Sequence, residues 1–139
     1  MEQEDYIKRQ IDQLGYVLGK ILNDLLGLKS RGQLSAGFGM ADPVLKTGLN
    51  LNVDELISIP PEGFIQTLTG NRELNHDNLN AIAEILFLLS EEPPGPGKDS
   101  DRMKQLKKKA LLIFEHIEET SSLYSYDRHL KIEKLKNAR

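Results

Sequence analysis

An all-α fold, built as one compact helical domain, is predicted by three features of this 139-residue sequence. Ile7, Ile11, Leu14, Leu18, Ile21, Leu25 and Leu28 recur at alternating steps of four and three, the spacing of a single helix face. The stretch from Leu79 to Leu89 becomes apolar on nearly every side, the pattern of a helix buried all round. No segment alternates apolar and polar residues with period two, as a half-buried strand does.

The first helix is predicted over Glu4 to Lys29. Gly15 and Gly19 lie inside it, each destabilising by roughly 1 kcal/mol relative to alanine. Close approach of another backbone is the expected compensation. A coiled-coil dimer on the seam is one reading of this helix. Gly15, Val17 and Leu22 beside the seam widen the stripe to that of a core helix, and this favours packing within the chain. A homodimer through the helix is kept as the second reading.

Residues 30–74 form a Gly-rich and short-helix region. Ser30 to Asn52 holds Gly32, Gly37, Gly39, Gly48 and Pro43, which predicts short helical pieces broken by turns, one around Pro43 to Thr47. Gly37-Phe38-Gly39 follows a helix and lacks the full glycine pattern of a dinucleotide loop, so that loop is not expected. Asn52 with Glu55 three residues on is a capping box opening a short helix that ends before Pro60. Pro61 suits the first position of the next helix, Glu62 to Thr69, and Gly70 is expected to close it in the left-handed conformation.

Residues 75–139 read as a helix pair and a capping helix. Asn75 caps a helix to Ser90, with Asp77 near its positive end. Glu92 to Asp99, with Pro93, Pro94 and Pro96, is a stiff connector. Ser100 caps a helix from Asp101 to Glu119, with Met103, Leu106, Ala110, Ile113, Phe114 and Ile117 on its stripe and the lysines opposite. Thr120-Ser121-Ser122 ends it. The last helix runs from Leu123 or Ser125 to Asn137. Its apolar residues divide between Leu123, Tyr126 and Leu130 on one side and Ile132 and Leu135 on the other. Such a helix either packs between two surfaces or keeps one face for a partner.

The pair is similar to a tetratricopeptide helix pair. Ala110, Phe114 and Ile117 stand at the family's offsets of a small residue, an aromatic four on and an apolar residue three further. The last helix resembles the solvating helix that closes such arrays. The first helix lacks the family's tryptophan, and the loop between the two is longer than the family's turn. The resemblance implies a protein-binding module. The opening, Asp5-Tyr6-Ile7 to Gln13-Leu14-Gly15, resembles small bacterial helical proteins to which no activity is attached.

Composition narrows the function classes. Apolar residues make up 39% and charged residues 28%, the balance of a globular chain. The absence of cysteine excludes a disulfide scaffold and a thiolate metal site. The acidic start Met1-Glu2-Gln3-Glu4-Asp5 is the opposite of a secretory signal. Lys20, Asn23 and Asp24 interrupt the longest apolar stretch, so no bilayer span is predicted and a cytoplasmic setting is expected.

No catalytic constellation is visible, so no enzyme activity and no cofactor are expected. His116 with Glu119, and His129 on the next helix, are the nearest approach to a metal set, but they lack the paired Glu-x-x-His pattern of a di-iron bundle. The adjacent carboxylates Asp54-Glu55 and Glu91-Glu92 point apart on a helix and cannot face each other across a substrate.

Charge is divided unevenly. Residues 1–97 carry 7 basic and 14 acidic side chains, net −7, whereas residues 98–139 carry 11 and 7, net +4. The basic third either faces the chain's own acidic part or meets an acidic partner. The function expected is a non-catalytic protein-interaction module. Its partner-facing residues are placed at Lys104, Lys107 and Lys108, at Tyr124, Tyr126 and Arg128, and near Phe38. The alternative is a nucleic-acid-binding regulator in which Thr120 to Ser122 is the turn and Arg128 reaches a base. The acidic pI of 5.6 argues against nucleic acid.

Overall fold

In the computed structural model, which describes residues 2–70, 74–91 and 100–137, the chain is all-helical and no strand occurs among the described residues. Among the described residues seven α-helices follow one another: α1 (Glu2–Ser30), α2 (Gly37–Leu49), α3 (Val53–Ile57), α4 (Phe64–Thr69), α5 (His76–Ser90), α6 (Ser100–Thr120) and α7 (Tyr126–Asn137). A 3-10 turn, Leu34–Ala36, leads into α2. The connector read at Glu92 to Asp99 lies outside the described residues.

Helix α5 is the centre. Leu79, Ile82, Ala83, Ile85, Leu86, Phe87, Leu88 and Leu89 are all buried, as its nearly continuous apolar surface demands. It packs on α1 on one side and on α6 on the other. Asn78 near its start donates to the Ile11 carbonyl at 3.3 Å, and Glu91 just past its end pairs with Lys29 at 3.0 Å, so α1 and α5 run parallel. His76 Nε2 lies 2.9 Å from Thr120 Oγ1, which sets the start of α5 beside the end of α6 and makes that pair antiparallel. Leu18, Ile21 and Leu25 of the α1 seam are buried in the chain's own core.

The two α1 glycines have different reasons. A Cβ on Gly15 would meet Asn78 Oδ1 at 3.0 Å, so this glycine lets a side chain approach, not a backbone. Gly19 has nothing within 4 Å and faces open space. The backbone approach expected to compensate both glycines is found at neither.

The Gly-rich region departs most from expectation. In place of broken pieces, Gly37 to Leu49 is one helix of 13 residues with Pro43 inside it. Burial of Ala41, Leu45 and Leu49 outweighs the poor helix propensity of its glycines and proline. Gly37 is fixed by packing, because a Cβ there would fall 2.7 Å from Leu25 Cδ2 and 3.2 Å from Leu89 Cδ2. Asp42 of α2 accepts from the Val53 N–H at 2.8 Å and so anchors the start of α3. The capping box forms as expected: Asn52 Oδ1 accepts from Glu55 N, and Glu55 accepts from Asn52 N. Lys46 at 2.7 Å, and then the Asn52 N–H, hold the Glu55 carboxyl below its ordinary range.

Gly70 corrects another expectation. It is right-handed at φ −58°, and the left-handed residue is Gly63 at φ 78°, at the other end of α4. The turn at Pro60 to Gly63 takes the place of a first helical turn, so α4 starts at Phe64 rather than Glu62. The lysine run of α6 is corrected too. Lys109 is not opposite the stripe but within it, and it is buried.

Candidate functional site

Helix α7 carries two of the expected partner residues, Tyr126 and Arg128, with Tyr124 on the turn before it, and its docking is mainly ionic. Ile132 and Leu135 are its buried apolar side chains. Around them, Lys131 donates to Glu84 of α5 and to Asp127, both at 2.6 Å. Burial of Lys131 alone would lower its pKa. The hydrogen bonds to Asp127 and Glu84 outweigh that and raise it. Lys134 reaches Glu91 at 3.4 Å, and its ammonium lies 5.3 Å from the centre of the Phe87 ring. The acidic half and the basic third therefore meet inside the fold through Glu84–Lys131, Glu91–Lys134 and Asp54–Arg102.

Arg128, expected at the surface as a partner or base contact, is buried. Its Nε donates to Glu118 of α6, and its Nη2 donates to the Leu123 carbonyl at 2.9 Å. Ser125 Oγ accepts from the Arg128 N–H at 3.2 Å and caps α7. The guanidinium thus fastens the α6–α7 corner and does not reach outward. A cation near the start of a helix looks the same in sequence whether it points out or back onto the preceding helix.

The other face of α7 is open. Leu123, Tyr124, Tyr126 and Leu130 are between 48% and 77% exposed. Tyr126 and Leu130 are one helical turn apart, so they share a face. Leu123 and Tyr124 stand on the turn that Arg128 braces. The Tyr124 ring lies 6.1 Å from the His129 ring, tilted by 43°. The two-sided pattern read for this helix resolves as one buried side and one side facing out. Leu130 joins the tyrosines here, and its spacing of four from Tyr126 was the available signal; Leu123 is exposed on the turn before the helix.

The basic positions of α6 are separate from the patch. Lys104 and Lys108 are exposed and Lys107 is half-buried. None of the three has an ion pair among the described residues. Phe38 is half-buried beneath Arg102, whose guanidinium carbon lies 4.0 Å from the ring centre. His116 and His129 are half-buried, and no group of three or more metal-ligating side chains gathers among the described residues. No described helix is long and apolar enough to cross a membrane. No protein-family model, no curated protein and no solved structure matches the chain.

Proposed function

We propose that the protein is a non-catalytic, tetratricopeptide-like interaction module whose partner docks on the α6–α7 corner. The carrying observation is that Tyr126 and Leu130 of α7, with Leu123 and Tyr124 on the turn before it, are exposed while Ile132 and Leu135 on the other side of the helix are buried. Tyrosines on a braced backbone present large contact area with little rotamer entropy to lose, and they are enriched among residues that dominate binding energy. Burial of Ala110, Phe114 and Ile117 in an antiparallel pair supports the tetratricopeptide-like part of the reading. The cytoplasmic setting expected from the sequence belongs to the same proposal.

The test compares tagged wild type with the Tyr124→Ala/Tyr126→Ala/Leu130→Ala variant in lysate of the native host. The expected result is a protein partner that survives high salt with wild type and is lost with the variant. Identical capture by both, or capture abolished by salt or nuclease, overturns the reading and moves the weight to Lys104, Lys107 and Lys108 or to nucleic acid.

A second reading concerns self-association. Tyr16 and Leu26 of α1 are exposed beside the open Gly19, around a groove of about 480 Å³. A second copy seated there would pair α1 helices back to back, away from the buried seam. Analytical ultracentrifugation of wild type and Gly19→Arg tests it: a dimer lost in the variant supports this interface, and a monomer at all concentrations rejects it.

A further inference from the structure

Helix α6 holds three polar side chains in register at one-turn and two-turn spacing: Arg102, Gln105 and Lys109. All three line a cleft of about 600 Å³ between α6 and the segment Asp54 to Pro61. The opposite walls are Ile57, Ile59, Pro60 and Pro61. The cleft is open to solvent along one side, and its lining mixes apolar and polar side chains in similar share.

Lys109 is the unusual member. It is 1% exposed, and among the described residues its ammonium meets one hydrogen-bond acceptor, Gln105 Oε1 at 3.3 Å. The Phe64 ring, centred 5.5 Å away, gives it a cation–π contact. No carboxylate stands within ion-pair distance of it among the described residues. A buried ammonium without a carboxylate is costly, and an apolar side chain of the same length fits such a place at less expense. Arg102 is paired with Asp54, yet one of its buried nitrogens lacks a hydrogen bond. Its Nε lies 3.0 Å from Asp54 Oδ1 but makes no hydrogen bond, although it is buried. Its guanidinium carbon lies 4.0 Å from the centre of the Phe38 ring.

We propose that this cleft binds a small organic monocarboxylic acid, its carboxylate meeting Lys109 and Arg102 and its apolar body lying against Ile57, Ile59 and Pro60. Gln105 orients the Lys109 ammonium toward the ligand. One negative charge suits the site better than several. Asp54 and Asp101 also line the cleft, and Glu62 acts on Lys109 from nearby, so a polyphosphate would face three carboxylates. Burial, and then the neighbouring Lys108 charge, push the Lys109 ammonium below its ordinary pKa, and an incoming carboxylate would reverse that push.

The test is an NMR titration of the full chain with sodium benzoate and sodium hexanoate, with benzamide and inorganic phosphate as the uncharged and non-carboxylate arms. Saturable shifts are expected at the Gln105 side-chain amide and the Ile57, Ser58 and Ile59 backbone amides with one or both acids, and with neither control. Lys109→Met should weaken that binding roughly tenfold or more, the effect of losing a charge-assisted hydrogen bond, while keeping the fold. Arg102→Gln is the second variant and should weaken it in the same direction. The proposal is overturned by no shift with either acid up to ~20 mM, well above a Kd in the millimolar range. Equal binding of benzamide or phosphate, or unchanged affinity in both variants, overturns it as well.

Discussion

Helices α5 and α7 both pack on α6, yet different forces hold them. Helix α5 is enclosed by α1 and α6 and buries eight apolar side chains between Leu79 and Leu89. Helix α7 buries Ile132 and Leu135 and otherwise relies on Arg128–Glu118, Lys131–Glu84 and Lys134–Glu91. Burying one leucine-sized side chain contributes about 1.5–3 kcal/mol, whereas an ion pair with an exposed partner, such as Lys134–Glu91, contributes about 0–1 kcal/mol. The core is thus set by apolar area, and the C-terminal helix by geometry and charge. A helix attached in this way can turn an unpaired apolar face to solvent without competing with its own docking face.

The comparison breaks most visibly in the core. Phe114→Ala, at a fully buried position beneath α5, should lower stability by about 3–5 kcal/mol and shift the whole unfolding transition in urea. A change confined to α7 would show that the two regions unfold separately. Arg128→Ala should cost about 2 kcal/mol, because it leaves the Glu118 carboxylate and the Leu123 carbonyl without their donor. Hydrogen exchange should then accelerate in residues 123–137 first, with α5 still protected. Uniform acceleration would mean that α7 is part of one cooperative core.

Lys109→Met inverts the usual sign. It should raise stability by roughly 1 kcal/mol at neutral pH, since an unpaired buried ammonium is replaced by an apolar chain of similar length. The folded protein holds Lys109 below its ordinary value of 10.5, so the unfolded chain binds more protons in the window between the two. Wild-type stability therefore gains relative to the variant as pH rises through that window, and the gap closes above 10.5. Denaturation curves at a series of alkaline pH values check the sign, and a gap that widens with pH refutes it. The smallest effect is expected for Tyr124→Ala/Tyr126→Ala. Stability should stay within about 0.5 kcal/mol of wild type, because both rings are exposed. A larger loss would show that the patch is structural.

The regular parts of this fold were legible in the sequence for a physical reason. The α1 seam, the all-apolar α5 and the Asn52–Glu55 box each combine local propensity and burial in the same residues. Helix α2 was not legible, because its glycines and Pro43 argue locally against a helix that tertiary burial enforces. Gly63 and Gly70 exchanged roles because a glycine's sign of φ depends on where the next element packs. At the site, the open face of α7 was visible as a two-sided pattern, while the inward turn of Arg128 was not, since it depends on the angle between α6 and α7. Lys109 did leave a signal. It falls three residues after Leu106 and four before Ile113, on the spacing of the buried stripe, but stood hidden in the run Lys107-Lys108-Lys109.

The docking surface itself is tested most directly by placing a photoreactive benzoylphenylalanine at Tyr126 in one sample and at Lys108 in another, then irradiating each in host lysate at high salt. The account predicts a discrete protein adduct from position 126 and none from position 108. Adducts from position 108 alone would contradict it and put the partner on the basic face of α6.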